Sequence, residues 1–129
     1  MDDRKKAVLM RGPEARIAVC KCGEAKKTYG VRFERFGEGW KSTWAFPLEE
    51  SSARRQGYED TELKGNLFLD NKYPGCPYCH TRSFIVCDDC HKLNCNIGDS
   101  ELFTCEWCGI EGVLSDYEGS GVAAGGDRG

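Results

Sequence analysis

The chain of 129 residues carries nine cysteines and a formal net charge of −3. Leu, Ile, Val and Phe together make up about 19% of it, which borders on the composition of disordered proteins. Disordered chains seldom contain so many cysteines alongside three tryptophans and five tyrosines, so composition excludes both full disorder and a large apolar core. We therefore expect a small core reinforced by metal ions or disulfide bonds.

Residues 1–14 are predicted to form a flexible basic segment. Residues 1–35 hold ten Lys or Arg against five Asp or Glu, whereas the rest of the chain holds eight against sixteen. No apolar run here has the length of a secretion signal, and no apolar window has the length of a membrane span. The cysteine count is odd, which a closed disulfide framework would not explain. The expectation is a cytoplasmic protein with reduced, metal-binding cysteines and no membrane contact.

Residues 15–117 are predicted to form one small, mainly-β, zinc-stabilised domain, whose first part, residues 15–72, is a front sheet of antiparallel β hairpins. Tyr29, Val31 and Phe33 alternate with polar residues or glycine, the period of a half-buried strand. After a glycine-rich link, a second strand is predicted to carry four large apolar side chains on one face: Trp40, Trp44, Phe46 and Leu48.

The next segments continue in chain order. Residues 49–61 have no apolar period and are predicted to be a loop or one short helical turn. Leu63, Leu67 and Leu69 predict a further strand. Residues 73–117 form the predicted cysteine-rich part, with short strands at 83–86, 102–104 and 110–114. Residues 118–129, rich in Gly and Ala, are predicted to be a disordered tail.

Three Cys-x-x-Cys pairs dominate the cysteine-rich part: Cys76 and Cys79, Cys87 and Cys90, Cys105 and Cys108. Such a turn presents two thiolates at a spacing suited to tetrahedral zinc, so these pairs predict tandem sites of the zinc-ribbon or zinc-knuckle type. The residue after each cysteine motif is one that tolerates a positive φ: Gly23, His80, His91, Asn96 or Gly109. The two histidines are therefore expected to serve backbone geometry and not to bind metal.

The remaining cysteines are Cys95 and the N-terminal pair Cys20 and Cys22. On a strand, Cys20 and Cys22 project to the same face, so both are candidate ligands. Two zinc ions offer eight positions to nine cysteines, which leaves one cysteine spare if both sites are all-sulfur. The sequence does not identify the spare one.

Two ligand pairings are open. One joins Cys76 and Cys79 with Cys105 and Cys108, and leaves the remaining cysteines of the region to bind with Cys20 or Cys22. The other joins the 76/79 pair with the 87/90 pair, and Cys95 then binds with the 105/108 pair and an N-terminal thiol. We favour the first, because residues 87–95 look like a compact nested loop. Under both pairings an N-terminal thiol fastens the front sheet to the cysteine-rich part, which predicts one folding unit.

Catalysis is not expected. Cys76-Pro-Tyr-Cys79 is identical to the glutaredoxin motif, but the β-branched and aromatic residues after it leave no room for the helix that redox chemistry requires. No nucleotide-binding loop, zinc-protease motif or nucleophile with a plausible base is present in the sequence. Four protein ligands per metal also leave no position open for a reacting water.

Residues 17–116 resemble the C-terminal metal-binding domain of TerY proteins, which are von Willebrand A-type components of tellurite-resistance and related stress systems. The resemblance rests on Tyr73-Pro-Gly-Cys-Pro-Tyr-Cys79, Cys90-His-Lys-Leu-Asn-Cys95, Cys105-Glu-Trp-Cys-Gly109 and the upstream Trp40-Lys-Ser-Thr-Trp-Ala-Phe46. It implies two zinc ions held by seven cysteines and one histidine, and a role in a stress-response phosphorylation module. A von Willebrand A-type protein, a kinase or a phosphatase would then be the partner.

The function predicted from the sequence is that of a non-catalytic zinc-binding module for protein–protein interaction, with Tyr58, Tyr78 and Trp107 as candidate anchors. The alternative is a nucleic-acid-binding zinc ribbon, which the basic N-terminal segment favours. The acidic balance of the zinc-bearing region opposes it, since phosphate binding needs a positive surface.

Overall fold

The computed structural model describes residues 14–58, 61–98, 101–115 and 121–128, together with Ala7. The elements in chain order are β1 (Glu14–Cys22), β2 (Lys27–Phe36), β3 (Gly39–Pro47), α1 (Glu50–Arg55), β4 (Thr61–Leu63), β5 (Leu67–Leu69), β6 (Phe84–Val86), β7 (Leu93–Cys95), β8 (Leu102–Thr104), β9 (Glu111–Val113) and β10 (Val122–Arg128). The mainly-β class predicted from the sequence is confirmed. The predicted N-terminal segment lies outside the described residues except for Ala7 and Glu14.

One sheet runs through most of the molecule. Its main path has the strand order β4-β10-β1-β2-β3-β5, and the hairpin β6–β7 joins it through a parallel pairing of β7 with β1. The consecutive strands β1, β2 and β3 pair in antiparallel fashion, as the sequence predicted. Strands β8 and β9 form a separate two-stranded sheet.

Strand β2 shows the predicted alternation. Tyr29, Val31 and Phe33 are fully buried on one face of the sheet. The ring of Tyr29 packs edge-on against Tyr78 with centroids 6.2 Å apart, and Phe33 packs edge-on against Phe84 at 5.9 Å. Because Tyr78 and Phe84 belong to the cysteine-rich part, the front sheet and that part share one core.

Strand β3 departs from the prediction that its large apolar residues share a face. Its pairing with β2 shifts between Arg32 and Phe33, so Thr43 has no paired residue opposite it and forms a β-bulge. A bulge reverses the faces of the residues that follow it. Trp40, before the bulge, is therefore only 4% exposed, whereas Trp44, after it, is 55% exposed.

The strand predicted across residues 63–69 is two strands in different places. Strand β4 pairs with β10 at one end of the sheet, and β5 pairs in parallel with β3 at the other. Gly65 lies between them with φ of 103°, and a Cβ there would lie 2.5 Å from the carbonyl oxygen of Glu38. The turn at this glycine breaks the leucine pattern into two separate pairings.

The prediction of a disordered tail at 118–129 was wrong for residues 122–128, which form strand β10 between β1 and β4. Val122 and Ala124 are fully buried there. A Cβ on Gly125 would collide with the carbonyl of Gly57, in the turn that follows α1. Only small residues fit in this crowded position. Small residues show no apolar alternation from which a strand could be predicted.

Helix α1 has six residues, so of the two expectations for residues 49–61, a loop or one short helical turn, the structure agrees with the second. Among the described residues, no helix combines the length and the apolar character needed to cross a membrane.

Candidate metal centres

The three Cys-x-x-Cys motifs form the same hydrogen-bonded turn. In each, the backbone N–H four residues after the first cysteine donates to that cysteine's carbonyl, at distances of 2.8–3.0 Å. The donors are His80, His91 and Gly109, and all three have a positive φ, of 67°, 60° and 78°. The sequence prediction of left-handed geometry is confirmed at these three positions.

The same prediction was wrong for Gly23 and Asn96, since neither is among the residues with a positive φ. The left-handed residue near Gly23 is instead Lys26, with φ of 57°. Its N–H donates to the carbonyl of Cys22 at 2.8 Å, and the N–H of Ala25 lies 3.4 Å from the Cys22 sulfur.

This geometry repeats that of the Cys76 turn, in which the N–H of Cys79 lies 3.4 Å from the Cys76 sulfur. Cys22 therefore begins a fourth turn of this kind, and Ala25 takes the place of the second cysteine. The positive φ of Lys26 follows from its position in this turn and not from a tolerant residue type.

Four cysteines form a first group, called the inner group here: Cys22, Cys76, Cys79 and Cys95. Their sulfur atoms all lie within 4.8 Å of one another, and all but Cys79 are buried. The end of β1, the 76–79 turn and the end of β7 bring them together.

Four more cysteines form the outer group: Cys87, Cys90, Cys105 and Cys108. Their sulfurs also lie within 4.8 Å of one another, and the Cys87–Cys108 and Cys90–Cys105 sulfur pairs are both 3.7 Å apart. Sulfurs at the corners of a tetrahedron around zinc, with bonds near 2.3 Å, are about 3.8 Å apart. The outer group thus has the spacing of a four-thiolate metal site.

Neither ligand pairing predicted from the sequence matches these groups. The 76/79 pair joins Cys22 and Cys95, and the 87/90 pair joins the 105/108 pair. The reason is the parallel pairing of β7 with β1, which sets Leu93 opposite Cys20 and carries Cys95 toward the end of β1. The expectation that an N-terminal thiol fastens the front sheet to the cysteine-rich part agrees with the position of Cys22.

Cys20 lies in neither group, although it is fully buried in the same core as Cys22. Of the nine cysteines predicted as ligands, the structure brings eight together and leaves Cys20 beside them. The inner group is also contacted by Tyr29, whose hydroxyl oxygen lies 3.1 Å from the Cys95 sulfur.

Burial makes the thiolate form unfavourable at several of these sulfurs. It raises the pKa of Cys79 and of Cys90 above the usual thiol range. The pKa of Cys95 is also raised, mainly by a hydrogen bond with Cys20 and in second place by burial. These thiols would be stable as thiolates only beside a cation, so both groups are suited to hold a metal ion.

Cys105 is the exception. Burial opposes its ionisation, but backbone N–H groups of Cys108 and Trp107 and the side chain of Asn94 together lower its pKa to about 7. Asn94 is 1% exposed; its amide nitrogen lies 3.5 Å from the Cys105 sulfur, and its oxygen accepts the Glu106 N–H at 2.8 Å. Sequence reasoning missed Asn94, because a single polar residue in a three-residue strand carries no pattern.

The histidines lie outside both groups, as the sequence predicted and in contrast to the single histidine ligand that the TerY resemblance implies. His80 is exposed. His91 connects to strand β10: its carbonyl accepts the N–H of Ala123 at 2.8 Å, and its Nδ1 lies 3.3 Å from the carbonyl of Gly121.

The aromatic anchor candidates are partly buried, and two of them are hydrogen-bonded within the molecule. Tyr78 donates from its hydroxyl to the carbonyl of Thr28 at 2.9 Å, and Trp107 donates from Nε1 to the carbonyl of Leu93 at 2.7 Å. Tyr58 is half-buried. Tyr78 and Trp107 are thus held within the fold, and the exposed large apolar side chains belong to other residues.

No family model, no curated protein and no solved structure matches this chain. The resemblance to the TerY metal-binding domain thus stays a prediction from the motifs. The structure itself establishes a small mainly-β protein with two four-cysteine groups that could each hold a metal ion.

Proposed function

We propose that this protein is a non-catalytic module that is folded around two zinc ions and binds other proteins. The observation that carries the proposal is the pair of four-sulfur groups, with 3.7 Å separations in the outer group. Four thiolates complete the tetrahedral coordination of zinc and leave no position for substrate or water, so both ions would be structural.

Exposed apolar side chains support the protein-binding part of the proposal. Eight large ones are at least 44% exposed: Phe36, Trp44, Phe68, Leu69, Ile97, Leu102, Ile110 and Val113. Apolar side chains that cluster on a surface are typical of contact sites for other proteins. Large apolar residues are scarce in this chain, so leaving these eight outside the core costs folding stability. A role in binding would explain that cost.

The cellular setting that we propose rests on the motif resemblance alone. It is a tellurite-resistance or stress-response phosphorylation module, in which a von Willebrand A-type protein, a kinase or a phosphatase is the partner. Affinity purification of the chain from tellurite-treated cells, followed by identification of von Willebrand A-type proteins, kinases and phosphatases, tests this setting separately from the metal sites.

Native mass spectrometry of the purified chain tests the metal part. We expect two zinc ions per chain and no visible absorption band, whereas iron in the same sulfur sites would be coloured. Removal of the metal with a chelator should abolish the ordered near-ultraviolet circular dichroism signal, because structural zinc contributes about 10–16 kcal/mol of apparent binding free energy in small peptides. A single ion, or a metal-free chain that stays folded, would contradict the two-site proposal.

Nucleic-acid binding is the second candidate, favoured by one feature. Lys21 and Lys92 both lie over the ring of Trp107, at 5.2 and 4.5 Å from its centroid, and make a small basic and aromatic patch. A gel shift with single-stranded RNA and DNA at low and moderate salt tests it. Tight binding that weakens steeply with salt would rank this function above protein binding.

A further inference from the structure

A groove of about 720 Å³ opens between strands β5, β6 and β9. Four large apolar side chains that line it are substantially exposed: Phe68, Leu69, Ile110 and Val113, with exposures of 45%, 44%, 45% and 71%. Half of the eight exposed large apolar side chains therefore lie in this single groove.

The three strands that line the groove are all edge strands. Among the described strands, β5 pairs only with β3, β6 only with β7 and β9 only with β8. An edge strand presents backbone N–H and C=O groups on its open side, and an added extended segment can pair with them. The groove thus combines apolar side chains with edges that can accept another strand.

The charge of the groove is of one sign. Asp88, Asp89 and Glu111 line it and are exposed, and none of the described lining residues is Lys, Arg or His. Cys87 of the outer group also lines it. Four thiolates around one Zn²⁺ leave a formal charge of about −2, so a loaded outer group would make the groove more negative.

We propose that this groove binds an extended segment of a partner protein in which Lys or Arg residues alternate with apolar residues. Side chains of a strand alternate between two faces, so one set would reach the apolar floor and the other the acidic rim. This inference rests on the proposed function, because it names the kind of partner that the zinc-folded module binds.

The test uses the full chain, with its metal content counted by native mass spectrometry on the same sample. The probe is a fluorescently labelled nine-residue peptide of alternating Val and Lys, and the comparison peptide carries Glu in place of Lys. By fluorescence anisotropy we expect the Lys peptide to bind at least about tenfold more tightly, with a preference that falls as salt rises.

Groove variants locate the binding. Asp88→Asn with Asp89→Asn should weaken binding of the Lys peptide about fivefold, whereas Glu49→Gln with Glu62→Gln, which removes two exposed acidic charges elsewhere, should leave it unchanged. Val113→Ser should weaken binding about threefold, and its control is Trp44→Ser, at an exposed residue outside the groove.

Amide chemical shifts complete the test. Addition of the Lys peptide should move the resonances of β5 and β6 most. Equal affinity for the two peptides, no binding up to about 1 mM, or shifts confined to other surfaces would overturn the inference. The metal count is read independently, so a chain without two ions refutes the proposed function, and a two-ion chain that fails to bind refutes only the groove.

Discussion

The inner and outer cysteine groups share one chemistry but hold different parts of the chain. The inner group spans residues 22–95 and connects the end of β1, a turn and the end of β7, almost all of it buried. The outer group spans residues 87–108, and its Cys108 is exposed. The inner group therefore fastens distant elements of the main sheet, and the outer group fastens a local hairpin.

The two groups also touch through their turns. Lys26, in the turn that Cys22 begins, contacts both carboxylate oxygens of Glu106 at 3.1 and 3.2 Å. Glu106 lies in the Cys105 turn, and a Cβ on Gly23 would lie 2.8 Å from its Oε1. Lys26 is 68% exposed, so this ion pair contributes little energy and the connection between the groups is mainly one of packing.

The largest effect should come from breaking the inner group. Cys22→Ser should lose one metal ion and unfold the main sheet, because the site's binding free energy is part of the folding free energy and domain stabilities are only about 5–15 kcal/mol. Native mass spectrometry and guanidinium unfolding measure both changes.

Cys20→Ser is the matched control, since Cys20 is equally buried on the same strand but belongs to neither group. It should keep two ions and lose about 1–2 kcal/mol for the buried hydroxyl. If Cys20→Ser lost an ion while Cys22→Ser kept both, the assignment of the inner group would be wrong.

Breaking the outer group should have a local effect. Cys108→Ser should lose one ion and expose the amides of β8 and β9 to hydrogen exchange, because a two-stranded hairpin is marginally stable alone. The amides of β1, β2 and β3 should stay protected, since the inner group is intact. Global unfolding of this variant would contradict this expectation, because it would show that the main sheet also depends on the outer group.

A smaller effect should follow from the side chain that supports Cys105. Asn94→Asp keeps the oxygen that accepts the Glu106 N–H but replaces the donor facing the Cys105 sulfur with a carboxylate. We expect zinc affinity at the outer group to fall about 10- to 100-fold, measured by competition with a chromogenic chelator. Asn96→Asp is the control, two residues along, where the backbone carbonyl accepts a hydrogen bond from Thr81; it should leave both affinities unchanged.

The smallest effect concerns the backbone of the fourth turn. Lys26→Gly and Lys26→Ala both remove the ion pair with Glu106, so their difference reports the cost of a left-handed residue. The glycine variant should be more stable by about 1 kcal/mol in guanidinium unfolding. At Lys27, at the start of β2, the order should reverse, with alanine more stable than glycine.

Local regularities predicted much of this molecule. The alternation of Tyr29, Val31 and Phe33 predicted β2, and the cysteine turns predicted the left-handed geometry at His80 and His91. Each depends on neighbouring residues alone. The mainly-β class followed from the same kind of reasoning, and so did the choice between a loop and one short helical turn at residues 49–61.

Features that depend on distant contacts could not be predicted. Cys95 joins Cys22 because β7 lies parallel to β1. The spacing of the cysteines along the chain does not predict that pairing. The bulge at Thr43 depends on how two strands pair with each other. Strand β10 depends on the close packing around Gly125. In each case the determining neighbour lies far away in sequence.

The order of the ligands along the chain has a further consequence. Cys95 of the inner group lies between Cys90 and Cys105 of the outer group, so the two ligand sets overlap in sequence. Any single cut between residues 22 and 108 would separate the ligands of at least one site. The two centres therefore cannot be divided between two separate fragments, and a chimaera or truncation that is to keep both must carry the stretch from Cys22 to Cys108 as an indivisible block.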